Sequence, residues 1–315
     1  MYILGFDIGG TKCAVITARW DGANITILKK EKCSTDFSVS PKEMIQRLIA
    51  MADNILQKKP DAIGISCGGP LDSTRGIIMS PPNLPGWDNV TIVEQLERHY
   101  GVPVKLQNDA NACAVAEWKF GIGKGCRNMV FMTFGTGLGA GLILNGALYS
   151  GTNDNAGELG HIRLSDLGPV GFGKSGSFEG FCSGNGIAQL GYIKALEKVQ
   201  QGEYPMYYEK GYTLSDVTAK TVADAALAGD ATALDVYRTC GAYLGKGLSI
   251  VIDLLNPELI VIGSVFARCK DLLWDAAKKE IEKETLQLSA SCCKVVPTAL
   301  GEQIGDYAAV AVALT

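Results

Sequence analysis

Apolar and polar positions change in blocks along the chain, and the first blocks predict strands followed by a helix. Residues 2–32 predict three short strands, because apolar runs are separated by turn residues at 7–11 and at Asp21-Gly22. A helix is predicted over residues 41–58, where Pro41 suits the first helical position and apolar residues recur at helical spacing.

The same patterns predict the remaining elements. Further strands are expected at residues 61–66, 102–107, 128–133, 138–144, 259–262 and 294–297. Further helices are expected at residues 89–100, 110–120, 215–228, 231–253, 271–284 and 304–313. Strands that alternate with helices favour α/β domains.

One sequence pattern, an apolar strand followed by a glycine-rich turn, occurs twice, which indicates an internal duplication. Residues 6–11 and residues 132–137 both place a glycine-rich turn directly after an apolar strand. A duplication of this kind predicts two similar α/β domains that face each other across a cleft. We expect an N-terminal domain of residues 1–107 with residues 302–315, and a C-terminal domain of residues 108–301.

Composition narrows the class of protein without identifying it. The 315 residues carry a net charge of −4, which gives no electrostatic reason to expect a nucleic-acid or membrane partner. No apolar run approaches a membrane span, and the chain opens without a basic leader. The ten cysteines are scattered with no C-x-x-C pair, which favours buried reduced thiols. We therefore expect a cytoplasmic protein.

The two glycine-rich turns carry the first candidate chemistry. Glycine lets main-chain N–H groups approach a phosphate, and consecutive amides form an anion-binding concavity. Asp7 could hold Mg²⁺ through water, while Thr11 and Lys12 could contact phosphate oxygens. A tight hairpin is the alternative for one turn alone. The pairing of a turn that follows Asp7 with a second turn that contains Thr136 favours phosphate binding.

Residues 168–175 match the P-loop pattern G-x-x-x-x-G-K-[ST], but their context argues against a P-loop. That motif works between a strand and the N-terminus of a helix. Here Ser175 is followed by a segment with two glycines, Gly176-Ser177-Phe178-Glu179-Gly180, which is a poor start for a helix. We expect phosphate binding elsewhere.

Polar side chains with the chemistry of a sugar site occur at three places. Asn108-Asp109 lies between a predicted strand and a predicted helix, where one residue could cap the helix and Asp109 could accept a proton from a hydroxyl. Glu158 and His161 form a second group, and Glu179 adds a further carboxylate. Such groups can bind the vicinal hydroxyls of a sugar, although His161 taken alone is more typical of a structural histidine.

Five ordered motifs give the chain a family resemblance. They are Asp7-Ile8-Gly9-Gly10-Thr11-Lys12, Asn83-Leu84-Pro85-Gly86-Trp87, Asn108-Asp109-Ala110-Asn111, Gly135-Thr136-Gly137-Leu138-Gly139 and Gly157-Glu158-Leu159-Gly160-His161. In this order and spacing they resemble the ROK family (repressors, open reading frames and kinases), which includes bacterial glucokinases, fructokinases and N-acetylmannosamine kinases. The resemblance implies an α/β protein with a two-domain actin-like (ribonuclease-H-like) ATPase fold and an interdomain cleft for ATP and sugar.

The resemblance also implies a role for each motif. Asp109 corresponds to the catalytic base of the family and also contacts the substrate. Sugar-contacting positions correspond to Gly69, Asn83, Asn108, Glu158, His161 and Glu179. The phosphate turns correspond to Gly9, Gly10, Thr11 and Lys12 and to Gly135, Thr136 and Gly137, with Gly263 on the adenosine side. ATP and Mg²⁺ are the expected cofactors, and a homodimer is expected.

The chain departs from the family at its zinc loop. Members of the family usually have the sequence G-H, then about ten residues, then C-x-C-G-x-x-G-C-x-E. In that sequence the histidine and the three cysteines bind zinc. Here Val170, Phe172 and Ser177 occupy the cysteine positions, while the framework glycines and Glu179 remain. Without thiolates we expect no zinc, and we expect Val170 and Phe172 to stabilise the loop by apolar packing.

These observations together predict ATP-dependent phosphorylation of a hexose, with glucose at its 6-hydroxyl as first choice and N-acetylmannosamine or another hexose as the alternative. A sugar-responsive transcriptional regulator without its DNA-binding domain is the alternative of a different class. It is disfavoured because the first predicted strand begins at Tyr2, which leaves no room for a helix-turn-helix. An actin- or chaperone-type ATPase is a third class, and it leaves Asn108-Asp109, Glu158 and His161 unexplained.

Overall fold

The structure is a computed structural model that describes residues 1–315. Its strands are β1 (Tyr2–Ile8), β2 (Lys12–Trp20), β3 (Ile25–Ser34), β4 (Ala62–Cys67), β5 (Leu71–Asp72), β6 (Ile77–Ile78), β7 (Val104–Asn108), β8 (Met129–Phe134), β9 (Leu138–Leu144), β10 (Ala147–Tyr149), β11 (Val170–Gly171), β12 (Lys174–Ser175), β13 (Leu259–Ile262) and β14 (Lys294–Pro297). Its helices are α1 (Pro41–Ile55), α2 (Ile92–Tyr100), α3 (Asp109–Phe120), α4 (Phe178–Phe181), α5 (Gly184–Gln200), α6 (Ala219–Leu227), α7 (Ala231–Leu255), α8 (Val265–Glu284), α9 (Gln287–Cys292) and α10 (Ile304–Val312).

Most predicted elements are confirmed, and the differences have local causes. Strands β9, β13 and β14 have the predicted bounds, and α8 begins six residues before the predicted helix 271–284. Helix α5 was not predicted, because its first turn is Gly184-Asn185-Gly186 and glycine disfavours helices. The side chain of Ser183 caps this helix by accepting a hydrogen bond from Gly186 N at 2.9 Å.

Two five-stranded sheets repeat one strand order, which confirms the duplication. The first sheet has the order β3-β2-β1-β4-β7 and the second has the order β10-β9-β8-β13-β14. In the first sheet β1 is antiparallel to β2 but parallel to β4, and β4 is parallel to β7. The carboxyl ends of β1, β4 and β7 therefore meet at one edge, where Asp7 pairs with Ser66 and Cys67 with Asn108.

The chain divides into two compact units. Unit 1 comprises Met1–Phe131, Gly141–Gly157 and Thr298–Thr315, and unit 2 comprises Met132–Ala140 and Glu158–Pro297. The predicted boundary between residues 107 and 108 stays a prediction, while the compact units place all of α3 in unit 1, where it packs against α10. No helix of the protein is both long enough and apolar enough to cross a membrane.

Helix α10 packs unusually close to the first sheet, and this places its start beside the candidate site. A Cβ atom at Gly64 in β4 would lie 2.2 Å from the carbonyl oxygen of Ala309, so only glycine fits there. The side chains of α10 at this contact are small and fully buried, for example Ala309 and Val310. As a result Gly305 lies beside β1, with its Cβ position 3.2 Å from Asp7 Oδ2.

Candidate active site

Three carboxylates of unit 1, those of Asp7, Asp109 and Asp306, interact electrostatically near the edge where β1, β4 and β7 end. Burial, together with the negative charges of Asp109 and Asp306, raises the pKa of Asp7 from 3.8 to about 7. Lys30 and Lys32 oppose this shift, and Lys30 also forms an ion pair with the buried Asp306. Burial is the largest cause of this shift, and the two neighbouring carboxylates add to it.

The first glycine-rich turn follows Asp7 and is pressed against the segment that contains Asn83. A Cβ atom at Gly10 would lie 2.4 Å from the carbonyl oxygen of Asn83, which excludes any larger residue. The turn is closed by a hydrogen bond from Gly9 N to Lys12 O at 3.1 Å. Thr11 and Lys12 are exposed, so both predicted phosphate contacts have accessible side chains.

Asn83 also contacts the second glycine pair of unit 1. A Cβ atom at Gly68 would lie 3.0 Å from the side chain amide of Asn83, whereas one at Gly69 would meet no atom within 4 Å. Asn83 and Gly69 are thus brought together near the first turn, and Gly69 faces open space. Their sugar-binding role stays a prediction.

The start of α3 separates the two roles that the sequence left open for Asn108 and Asp109. Asn108 is the cap, because its Oδ1 accepts a hydrogen bond from Asn111 N at 2.7 Å. Asp109 is the first helical residue and is exposed, with its Oδ1 accepting a hydrogen bond from Ala110 N at 2.8 Å. The carboxylate of Asp109 is therefore accessible and oriented, as a general base requires.

A buried amide network behind Asp109 was missed from the sequence. Asn111 is fully buried and its Nδ2 donates to Gln107 Oε1 at 3.0 Å and to Ser150 Oγ at 3.4 Å. Gln107 Nε2 also donates to Ser150 Oγ, at 3.2 Å. Asn111 and Gln107 are four residues apart, but Ser150 lies 39 and 43 residues from them, so no local pattern indicates the whole network.

The second glycine-rich turn, in unit 2, is held by Glu179 and by the start of α5. Glu179 Oε2 accepts a hydrogen bond from Leu138 N at 2.9 Å, and Gly184 N donates to Gly135 O at 2.7 Å. A Cβ atom at Gly137 would lie 2.7 Å from Glu179 Oε2, so this turn needs glycine. Glu179 was predicted to contact sugar; the structure places its carboxylate against the second glycine-rich turn, and the sugar contact stays a prediction.

A cavity of about 990 Å³ opens beside the second turn, entirely within unit 2. Its walls include Thr136 and Gly135 from the turn, Gly184 and Asn185 from α5, and Arg268 from α8. A volume near 1,000 Å³ suits a large ligand such as a nucleotide, and the N–H groups at the start of a helix attract phosphate. The residues of α5 were missed because this helix was not predicted, and Arg268 was missed because it lies in the first turn of α8, before the start of the predicted helix.

The predicted adenosine-side glycine lies just behind the wall of this cavity. Gly263 is buried and its N–H donates to Met132 O at 2.9 Å, whereas the next residue, Ser264, lines the cavity. Ser264 has a φ of 52°, which is costly for a residue with a side chain. Strain of this kind is typical of functional sites.

Glu158 and His161 lie at the two ends of one 3₁₀ turn of unit 2. The turn spans Leu159–His161, and Glu158 is the residue that precedes it. His161 Nε2 lies 3.8 Å from Glu158 Oε2, and both side chains are about half exposed. Gly160 between them is pressed on β9, since a Cβ atom there would lie 2.3 Å from Leu138 O. The structure therefore brings these two predicted sugar contacts together.

The segment that matched a P-loop pattern is a small hairpin. Val170 pairs with Ser175, and Gly171 pairs with Lys174, across a turn formed by Phe172 and Gly173. The expectation that residues 176–180 start a helix poorly is wrong, because Ser177 caps the short helix α4, which begins at Phe178. The segment still differs from a P-loop, since its glycines form the turn of a hairpin and do not join a sheet strand to a helix. The expected apolar packing of this loop is wrong, because Val170 and Phe172 remain 47% and 67% exposed.

A family model described as the ROK family matches residues 3–315. The chain belongs to the ROK family. The glucokinase of Halalkalibacterium halodurans is 32% identical over 314 residues, covering 96% of this chain and 92% of that protein. The N-acetylglucosamine repressor of Escherichia coli O6:H1 is 32% identical over 252 residues, covering 79% of this chain and 60% of the repressor.

A solved ROK structure has the same fold over the whole chain. The ROK family glucokinase from Streptomyces griseus, in complex with glucose and AMPPNP, is 27% identical with a TM-score of 0.79, covering 100% of this chain and 99% of that one. The predicted α/β, two-domain actin-like fold is thereby confirmed.

The zinc site that the family resemblance implies does not fit this ROK protein. Val170 and Phe172 offer no donor atom, and the Oγ of the buried Ser177 accepts a hydrogen bond from Gly180 N at 3.1 Å as the cap of α4. No three His, Cys, Asp or Glu side chains form a group that could hold a metal. We predict that metal analysis of protein prepared without chelators yields well under one zinc per chain, and that chelators leave its thermal unfolding unchanged. A stoichiometry of about one zinc would contradict this prediction.

Proposed function

We propose that this ROK protein transfers the γ-phosphate of ATP to a hydroxyl group of a hexose, with glucose at its 6-hydroxyl as the first substrate. The observation that carries the proposal is the exposed, oriented carboxylate of Asp109 at the start of α3, beside Asp7 and the first glycine-rich turn. An accessible base next to a turn suited to phosphate is what phosphoryl transfer to a hydroxyl requires.

The prediction of a sugar kinase is confirmed at the level of enzyme class by the ROK relatives. Relatives named glucokinase align over nearly the whole chain, and one ROK glucokinase is solved with glucose and AMPPNP. The same complex supports ATP as the phosphate donor. The choice of glucose, the homodimer, the cytoplasmic location and Mg²⁺ remain part of the proposal.

Asp109 would act on the incoming hydroxyl. Its hydrogen bond from Ala110 N fixes the carboxylate at the start of the helix, so little motion is lost when the sugar binds. The carboxylate would align the hydroxyl with the γ-phosphorus and accept its proton as the new P–O bond forms and the bond to the β-phosphate oxygen breaks.

Asp7 fits a role in holding Mg²⁺. No group of three carboxylates or other ligands forms a metal site on the protein alone, but Mg²⁺ is usually bound by one or two carboxylates together with substrate phosphates. Burial and, after it, the charges of Asp109 and Asp306 raise the pKa of Asp7, and a divalent cation beside Asp7 would favour its ionised form. When bound, Mg²⁺ supplies positive charge to the transferred phosphate.

The remaining predicted residues suit binding and orientation. Main-chain N–H groups of the turns at 9–12 and 135–137 would bind phosphate, and the 990 Å³ cavity of unit 2 would hold the nucleotide. Sugar hydroxyls would be bound by Glu158, His161, Asn83 and Asn108.

N-acetylmannosamine or another hexose is the alternative substrate. A sugar-responsive regulator is the alternative of another class, since a repressor matches at 32% identity.

A sugar panel tests the proposed function. We expect ADP formation from MgATP to depend on added hexose, with the highest kcat/KM for glucose, measured by a coupled assay against mannose, fructose, N-acetylglucosamine and N-acetylmannosamine. The identity of the product as hexose 6-phosphate is checked by NMR. Sugar binding without any phosphorylated product would favour the regulator, and sugar-independent ADP formation would favour an ATPase of another kind.

A further inference from the structure

The hairpin β11–β12, where the family resemblance places zinc, contacts His161 in two ways that need no metal. The first contact is polar: Lys174 Nζ donates a hydrogen bond to the carbonyl oxygen of His161 at 2.7 Å. Lys174 is partly buried, so its charge strengthens this bond more than it would at an exposed site. The main chain of His161 is thereby tied to β12.

The second contact is aromatic. The ring of Phe172 lies edge-on to the imidazole of His161, with ring centroids 5.0 Å apart and planes at 85°. Edge-to-face pairs at this distance are favourable beyond the area they bury. The ring therefore restricts how far the imidazole can rotate.

The backbone conformation of Phe172 is unfavourable for a bulky residue, and the hairpin alone does not explain why phenylalanine stands there. Its φ is 46°, in the left-handed region that bulky residues avoid, and the next residue Gly173 has a φ of 73°. A two-residue turn with both φ values positive strongly prefers Asn-Gly. Phe172 is also 67% exposed. A residue that is both strained and exposed fits a functional demand better than a structural one.

We propose that Lys174 and Phe172 are positioning residues that hold His161 in its sugar-binding orientation, in the role that a metal ion has in a zinc loop. Lys174 fixes the main chain of His161 and Phe172 fixes its ring, so that the imidazole can meet a sugar hydroxyl without a metal. The part of the proposal that concerns sugar rests on the proposed function, while the orientation of His161 does not.

The ring signals of histidine test the orientation without any substrate. The protein has two histidines, His99 and His161, so His99→Gln assigns both sets of imidazole signals in an NMR spectrum. We expect Phe172→Ala and Lys174→Met to shift and broaden the His161 signals and to leave those of His99 in place. Two matched controls are Leu167→Ala, an 81% exposed apolar residue near the hairpin, and Lys210→Met, an exposed lysine of unit 2. Unchanged His161 signals in both test variants would overturn the proposal.

Phe172→Asn separates positioning from hairpin stability. Asparagine suits this turn better than phenylalanine, so the variant should fold at least as stably as the wild type. If Phe172 served the hairpin alone, sugar kinetics would be unchanged or improved. We expect instead that KM for hexose rises about tenfold with little change in kcat, the lower end of what residues that support a ligand-binding side chain contribute.

Lys174 is tested by rescue. Lys174→Met should raise KM for hexose in the same way as Phe172→Asn, and Lys174→Arg, which can still donate to the carbonyl of His161, should restore it. Added zinc should leave KM for hexose unchanged in both variants. If the His161 signals move but no hexose is phosphorylated by the wild type, the orientation stands and the proposed function fails. If activity is present and KM stays at the wild-type value in Phe172→Asn and Lys174→Met, the positioning role is wrong.

Discussion

Asp109→Asn is expected to lower kcat for hexose phosphorylation by about 10²- to 10⁴-fold, the usual loss when a general base is removed. The affinity for hexose should change little, because the amide has nearly the same shape and still forms a hydrogen bond with a hydroxyl. Steady-state kinetics with saturating MgATP give kcat, and calorimetric titration with the hexose gives the affinity. The expected pattern is a loss in kcat with binding retained.

The fold should tolerate this substitution, which makes the result interpretable. Asn108 rather than Asp109 caps α3, so the cap remains in Asp109→Asn. Asp275→Asn is a matched control, because Asp275 is an exposed aspartate on α8. A variant that keeps the wild-type kcat would show that Asp109 serves as the first residue of α3 and that the base lies elsewhere.

Asp7→Asn is expected to make the protein more stable above pH 7 and a much poorer kinase. The pKa of Asp7 is about 7 in the folded protein and near 3.8 in an unfolded chain. Between these values the native state binds more protons than the unfolded state, so this group lowers the free energy of unfolding as the pH rises from about 4 to 7. The full cost above pH 7 is at most about 4 kcal/mol. The amide carries no charge and escapes this cost.

Urea unfolding of both proteins at pH 4, 6 and 8 measures this effect. The stability gained by Asp7→Asn should be small at pH 4, and should grow through pH 6 to its largest value at pH 8. Asp36→Asn is a control of opposite sign, because hydrogen bonds from Ser38 and Arg47 lower the pKa of Asp36 to about 2. Relative to the wild type, that control should be less stable by nearly the same amount at pH 4, 6 and 8, because the stabilisation by Asp36 is lost only as the pH falls from about 4 to 2. A gain that is the same at all three pH values would show that the Asp7 carboxyl does not titrate in this range.

The activity of Asp7→Asn tests the role of this carboxylate in holding Mg²⁺. We expect kcat/KM for MgATP to fall about 10²-fold, because positive charge on the transferred phosphate lowers the barrier by several kcal/mol. Higher Mg²⁺ concentrations should recover part of the loss. An active variant with unchanged Mg²⁺ dependence would place the metal on other groups. The expected result for Asp7→Asn is therefore a gain in stability with a loss of activity, the trade-off that is common at active sites.

The sequence by itself determined the order of most long elements and the family, although it missed α5. Helix and strand periods depend on neighbours along the chain, which is why β9, β13 and β14 were predicted to the residue. The repeated glycine turn predicted the repeated strand order, since each turn follows the central strand of its sheet. The five motifs indicated the ROK family because their order and spacing are specific as a set.

Tertiary structure decided the features that depend on residues far apart in sequence. The pKa of Asp7 depends on Asp109 and Asp306, and α10 reaches β1 because Gly64 lets the helix approach. Glu179 matched a sugar position in the sequence, but its partner is the N–H of Leu138, 41 residues away. Phe172 was expected to pack within the loop. It is largely exposed, and its ring contacts that of His161. Local patterns carry no information on such distances, charges and contacts, because these arise when separate segments are brought together by folding.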